Sequence, residues 1–139
     1  MKTNKVITLD NRKALVFVYG TLKKGFMNHS LIESSEFLGG GRTEEKYTMH
    51  HSFDRKIPFI TKEPSYYITG ELYNVSTIMF AMLDCLEGHP HWYKRDLIIV
   101  NIEGKQYRTW MYFLNDLTQP RVKYDNGTWQ NLTTTLEIL

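Results

Sequence analysis

A chain of 139 residues with 42% hydrophobic and 23% charged residues is long enough to bury a core without cross-links and too apolar to be disordered. A formal net charge of +2 is too small to point to nucleic acid or to an anionic membrane, so any partner has to be read from a site. One cysteine, Cys85, excludes an intramolecular disulfide and fits a reducing, cytoplasmic setting.

Residues 1–13 are polar and charge-interrupted, reading as a lead-in with at most one short edge strand and as neither a signal peptide nor a membrane span. Residues 14–19, ALVFVY, are a continuous apolar run of strand length, which predicts a strand covered on both faces. A loop follows over 20–25, then a short helix over 29–36 capped by Asn28 or Ser30. The glycines at 39, 40 and 41 predict a bulge or tight bend in a strand region. Strands are expected over 45–53, 57–61 and 66–75. The last alternates, with Tyr67, Thr69, Glu71 and Tyr73 on one side and Tyr66, Ile68, Gly70 and Leu72 on the other.

Ser76 or Thr77 can cap a helix whose apolar residues 78, 79, 82, 83 and 86 follow helical spacing and which stops at Gly88. This places Leu83 and Leu86 toward the core and Cys85 as a packed thiol. Residues 93–103 and 106–114 read as a long hairpin turned at Glu103-Gly104-Lys105. The tail has a turn signal at Asn126-Gly127, and NLTTTLEIL at 131–139 is a candidate last strand. The expected class is α+β: one domain over 1–139, a small mixed, mostly antiparallel β-barrel with flanking helices.

Two stretches carry candidate chemistry. Tyr19-Gly20-Thr21-Leu22 ends a strand at a residue that tolerates a sharp turn. The next N–H groups then lack ladder partners and can form a concavity for an anion, with Lys23 and Lys24 adding positive field. An ordinary strand end with solvated lysines has the same pattern. Glu87 is the last helical residue before Gly88. A carboxylate there meets the negative end of the helix dipole, and partial burial would raise its pKa toward the range useful for proton transfer. An exposed glutamate at a helix end reads the same way. His50-His51 and His89-x-His91 lack the spacing of a zinc site, and no glycine motif implies a nucleotide, so no metal or cofactor is expected. The sequons at Asn28, Asn74, Asn126 and Asn131 read as chance matches.

Together these stretches resemble the γ-glutamylcyclotransferase-like superfamily, nearest to its γ-glutamylamine cyclotransferase and AIG2-like branch. The resemblance is carried by Val16 through Gly25 with Asn28-His29 after it, by Gly70-Glu71-Leu72-Tyr73, by Leu83-Asp84-x-Leu86-Glu87-Gly88, and by Tyr93 and Arg95. It spans about residues 14–115. It implies a small barrel whose cavity opens beside the loop of the first strand. Tyr19, Gly20, Thr21 and Leu22 would hold the γ-glutamyl group, Glu87 would be the catalytic acid–base, and Tyr93 and Arg95 would support the site, Arg95 as a brace for Glu87. The implied enzyme releases 5-oxoproline and an amine from a small γ-glutamyl substrate and needs no metal or cofactor. A monomer is expected of a small barrel, and the net charge of +2 leads to the expectation of no nucleic-acid or membrane partner. A γ-glutamyl dipeptide, a protected biosynthetic intermediate, or a non-catalytic binding module are the other readings. His89-Pro90-His91-Trp92 is bulkier than the resemblance leads one to expect, which points to an altered amine-side pocket.

Overall fold

The structure, a computed structural model, describes residues 6–7 and 13–130. The expected strand over 131–139 lies outside the described residues. The elements run β1 (Val6–Ile7), β2 (Lys13–Val18), a 3-10 turn (His29–Leu31), β3 (Glu36–His51), β4 (Pro58–Ser76), α1 (Thr77–Glu87), β5 (Tyr93–Ile102), β6 (Lys105–Leu114) and β7 (Val122–Lys123). The helix expected over 29–36 is thus a single turn, because Asn28 spends its side chain on Thr21 Oγ1 at 2.9 Å and caps nothing.

β2 pairs antiparallel with β4 and parallel with β6; β4 pairs with β3, β3 with β5, and β5 with β6. These pairings close into a ring of five strands, mostly antiparallel, as the α+β barrel reading expects. β1 lies beside β6, and β7 beside the far end of β3. β3 and β4 are one long hairpin, with register shifts at Phe37/Gly39, Arg42/Lys46 and Tyr47/Thr48. The glycine run therefore sits inside a continuous strand. A Cβ at Gly41 would lie 2.0 Å from the Asn101 carbonyl oxygen, so the approach of β5 requires glycine there. The β5–β6 hairpin turns on Glu103 and Gly104, both at positive φ (49° and 81°), which is the geometry of a two-residue type I′ turn.

The ring separates two apolar layers. Leu15, Phe17 and Tyr19 of the first apolar run join Ile68, Leu72, Val100 and Met111 in the interior of the ring. Val16, Val18 and Leu22 join Tyr73, Val75, Leu83 and Tyr112 beneath the helix. β2 is thus buried on both faces, as its unbroken apolar run predicts. In the 66–75 segment, Ile68, Gly70 and Leu72 are buried as the alternation predicts, and Tyr73 is buried as well because its face lies under the helix layer.

α1 is capped by Ser76, whose hydroxyl accepts from the Met79 N–H at 3.1 Å, and it ends at Gly88 in the left-handed conformation (φ 65°). It rests on the sheet through Leu83, with Met79 and Phe80 partly covered. Ile78, Met82, Cys85 and Leu86 face outward, which corrects the inward placement of Leu86 and the packed reading of Cys85. The inward face is set by residues 79, 80, 83 and 87, and Glu87 lies one turn beyond Leu83 on it. Among the described residues no helix is long and apolar enough to cross a membrane.

Candidate active site

The loop that leaves β2 is held by its carbonyl groups. Gly20 O accepts from Lys23 N–H at 3.1 Å, Thr21 O from Asn28 N–H at 2.9 Å, and Leu22 O faces His29 Nδ1 at 2.9 Å. The Lys24 N–H is taken by Glu71 Oε1 at 2.9 Å, which also accepts from the Tyr73 hydroxyl. Among the described residues the N–H groups of Gly20, Thr21 and Leu22 meet no protein acceptor. They are the free donors that a backbone anion cradle requires. Asn28-His29 and Gly-Glu-Leu-Tyr in the sequence are therefore supports of this loop. Gly70 belongs with them: a Cβ there would lie 2.4 Å from the Val18 carbonyl oxygen at the end of β2.

Tyr19, Gly20, Thr21, Leu22, Glu87 and Tyr93 wall one cavity of about 50 Å³. That is room for several waters or a small polar group. The lysines after the loop do not face it. Lys23 is buried and donates from Nζ to the Trp129 carbonyl at 2.9 Å, and Lys24 lies over the Phe37 ring at 3.5 Å. The positive field expected of this pair is directed elsewhere, so charge complementarity at the cavity comes from backbone N–H groups.

Burial pushes the Glu87 carboxyl up from 4.5 to about 7. The position at a helix end predicts part of such a rise from the dipole; in the structure the cause is loss of water around the carboxylate. No ion pair offsets that loss among the described residues, because the guanidinium of Arg95 is committed to Asp84. Arg95 Nε and Nη2 donate to the two Asp84 oxygens at 2.9 and 3.1 Å. Asp84 Oδ1 also accepts from the Tyr112 hydroxyl at 2.6 Å. Burial opposes the Asp84 charge, but these bonds win and hold the carboxyl below the usual carboxylate range. Arg95 therefore braces Tyr112 through Asp84 and does not touch Glu87.

Tyr112 lines the cavity with Ile57 and Pro58, and none of these three was singled out from sequence. The signal for Tyr112 was present in the hairpin, since a two-residue turn at Glu103-Gly104 places it directly opposite Arg95. Ile57 and Pro58 have no local signal; they arrive from the far end of the β3–β4 hairpin.

The tyrosines are fixed donors. Tyr19 donates to the Tyr112 carbonyl at 2.9 Å and Tyr93 to the Pro58 carbonyl at 3.1 Å. Burial, with nearby negative charge, raises Tyr19, Tyr93 and Tyr112 above the ordinary phenol value. Of the residues that wall the cavity, Glu87 alone titrates near neutrality. His50 and His51 are spent elsewhere: His50 Nε2 meets Thr61 Oγ1 at 3.0 Å, and His51 Nδ1 meets the Ser52 carbonyl at 2.7 Å. No cluster of His, Cys, Asp or Glu able to hold a metal occurs among the described residues.

The arrangement offers a largely buried carboxyl poised near pH 7 beside a row of free N–H donors. Known proteins resemble the chain in sequence and fold. The family model described as "Gamma-glutamyl cyclotransferase, AIG2-like" matches residues 16–131. A relative from Methanocaldococcus jannaschii, named provisionally as a gamma-glutamylcyclotransferase, is 42% identical over 101 residues, covering 70% of this chain and 82% of its own. Gamma-glutamylaminecyclotransferase B of Danio rerio is 43% identical over 95 residues; the match covers 63% of this chain and 50% of that protein. The crystal structure of an AIG2-like protein from Mus musculus superposes with a TM-score of 0.71 at 29% identity, covering 83% of this chain and 90% of the other. The chain belongs to the AIG2-like gamma-glutamyl cyclotransferase family of enzymes.

Proposed function

We propose that the protein converts a γ-glutamyl amine, such as γ-glutamyl-ε-lysine, to 5-oxoproline and the free amine, with Glu87 as general acid–base. The observation that carries this reading is the position of Glu87: a carboxyl raised to about 7, walling the same cavity as the free N–H groups of Gly20, Thr21 and Leu22. The name of the Danio rerio relative favours an amine as the leaving group.

In a γ-glutamyl amide the substrate's own α-amine is the nucleophile. It attacks the γ-carbonyl, a five-membered lactam closes, and the C–N bond to the amine breaks. The attacking nitrogen starts as an ammonium and ends as a lactam N–H, so it gives up two protons. The leaving nitrogen starts as an amide N–H and ends as an ammonium, so it gains two. A carboxyl that ionises near neutrality can carry these protons in turn, and such transfer contributes roughly 10²–10⁴-fold. The reaction needs no protein nucleophile, metal or cofactor.

The N–H groups of the loop receive the α-carboxylate of the glutamyl unit and offer a donor to the developing oxyanion. Anchoring that end bends the extended glutamyl chain so that its amine faces its own γ-carbonyl, a gain in orientation comparable to the proton transfer. Tyr19, Tyr93 and Tyr112 hold the cavity wall, and Arg95 acts through Asp84 to position Tyr112. The test is to incubate the wild type and Glu87→Gln with γ-glutamyl-ε-lysine and follow 5-oxoproline by mass spectrometry. Product from the wild type alone is expected; equal product from the variant would refute the role of Glu87, and none from either would refute the substrate.

A further inference from the structure

Glu87 walls a second cavity. This one holds about 220 Å³ and shares Thr21, Ile57, Glu87 and Tyr93 with the first, so the two adjoin across the same side chains. Its character differs from that of the loop cavity. Met27, Phe59, Leu86, Trp92 and Leu114 supply its remaining apolar surface. Two of its polar side chains are committed, Asn28 Nδ2 donating to Thr21 Oγ1 and Ser52 Oγ donating to Asp54 Oδ1 while accepting from the Ile57 N–H, and the Gln119 amide adds a neutral polar group to the lining. Glu87 is the one charged side chain that lines it. Two of its walls are neighbouring rings, Phe59 and Tyr93, tilted 32° to each other with centroids 5.8 Å apart, and Trp92, which is 58% exposed, lines it as well.

Trp92 also explains a feature of α1. The outward side of its last turn is apolar, with Leu86 46% exposed, and the turn after Gly88 carries Trp92 to the same cavity. A hydrogen bond from the Trp92 N–H to the Gly88 carbonyl, at 3.0 Å, fixes that return. Exposed leucine and tryptophan beside a titrating carboxyl have no structural task in the core.

We infer that this second cavity is the subsite for the leaving amine, and that it selects primary amines with an apolar, ring-bearing tail. The inference rests on the cyclisation proposed above and narrows its substrate class. The scissile bond must lie at Glu87, because the proton transferred there goes to the leaving nitrogen. The glutamyl side has the free N–H donors, so the amine side is the apolar cavity. A flat tail gains dispersion and ring contacts against Phe59, Tyr93 and Trp92. A leaving group with a carboxylate on the carbon bearing the nitrogen, as in a γ-glutamyl dipeptide, would set a second negative charge beside Glu87 in a cavity that holds no cationic side chain and whose side-chain donors are amides, hydroxyls and an indole. The ε-lysyl group is intermediate, its methylenes lying in the cavity and its charged end beyond the rim.

The experiment has two arms. In the first, kcat/KM is measured for γ-glutamyl methylamide, phenethylamide, ε-lysine and glycine. The phenethylamide should exceed the methylamide roughly 30-fold, the gain expected for burying such a tail, and the glycine compound should fall below the methylamide. Trp92→Ala should erase most of the phenethyl advantage. In the second arm, N-phenethylacetamide, which carries the same tail without charge, is titrated into the protein while the indole N–H resonances are followed. Saturable movement of the Trp92 resonance, assigned by Trp92→Phe, is expected, with no response to N-acetylglycine. Binding without turnover of any amide would leave an apolar ring-binding cavity standing and overturn the cyclisation, and with it the assignment of the cavity to a leaving amine. Turnover without tail preference and without binding would overturn the subsite alone. Failure in both arms would overturn both.

Discussion

Replacing Glu87 with glutamine should remove activity and add stability, and the added stability should depend on pH. In the unfolded chain this carboxyl ionises near 4.5; in the folded protein it keeps its proton up to about 7. The folded state therefore binds more protons throughout that window. Its stability is full below about 4.5, falls as pH rises, and levels off above about 7. A shift of this size amounts to about 3 kcal/mol at pH 8 and about 1 kcal/mol at pH 5. Glutamine has nearly the same shape and no charge, so it escapes this penalty at every pH. Any fixed cost of seating the amide is the same at both values and cancels. The stability of Glu87→Gln relative to the wild type should thus rise by about 2 kcal/mol between pH 5 and pH 8. Urea denaturation of both proteins at the two pH values measures it. A difference that does not change with pH would mean that the carboxyl ionises at an ordinary value and is not poised for proton transfer near neutrality. The same variant should lose roughly 10²–10⁴-fold in kcat.

For the wild type, kcat/KM should rise with pH through about 7, because the base must be ionised; an inflection at an ordinary carboxylate value would refute the assignment. Gly20→Ala places a Cβ 2.6 Å from Pro58 Cγ, so the loop or the opposite wall must move; a loss of about 10²-fold in kcat/KM is expected, and wild-type kinetics would refute the need for that close approach. Arg95→Lys removes the fork that holds both Asp84 oxygens at 2.9 and 3.1 Å, so Tyr112 loosens, kcat falls more than KM rises, and the thermal midpoint drops; unchanged kinetics would show that Asp84 needs no guanidinium.

Much of this was legible because local patterns and tertiary environment agreed. The run Ala14–Tyr19 has no polar position, and a strand without one has to be covered twice. Ser76 and Gly88 bracket the helix with residues that satisfy its ends, and the Glu103-Gly104 turn fixes the β5–β6 register. The helix was misread at its surface: spacing alone makes residues 78, 82 and 86 a core stripe, whereas Ile78, Met82 and Leu86 are outside. Periodicity identifies an apolar face but not what lies opposite it, and Leu86 faces the second cavity. Lys23 shows the same limit. It reads as a solvated lysine, yet it is buried because the segment after β6 crosses the loop and offers it the Trp129 carbonyl. That segment carries no motif. It is held by backbone bonds, Tyr124 N–H to Met49 O at 2.8 Å and Thr69 N–H to Gly127 O at 2.9 Å, by the buried rings of Tyr124 and Trp129, and by a close approach at Gly127, where a Cβ would lie 1.9 Å from the Tyr67 carbonyl oxygen; none of these partners is near in sequence. Sequence points to Arg95 as a brace for Glu87, whereas its guanidinium holds Asp84, because the two carboxylates are close in sequence and only the geometry separates them.

The position of the site follows from β2. Alternate residues of that strand belong to different layers, Leu15 and Phe17 to the ring interior and Val16 and Val18 to the layer beneath α1, and the loop after it continues both, through Tyr19 and Leu22. There the loop can meet a helix that lies outside the ring. Leu83 seats α1 on that outer layer, and Glu87 follows one turn later. The pKa of Glu87 is then set by how well the apolar layer excludes water, rather than by any charged neighbour. This makes the pH optimum a readout of packing. Leu83→Ala leaves every group that walls the cavity in place, yet opens a void under the last turn and costs about 2–5 kcal/mol. Water entering there should stabilise the carboxylate, lower its pKa, and move the rising limb of the kcat/KM profile to lower pH. Measured at a temperature where the variant is fully folded, a limb that falls in height without moving in pH would show that something other than the apolar layer holds the proton on Glu87.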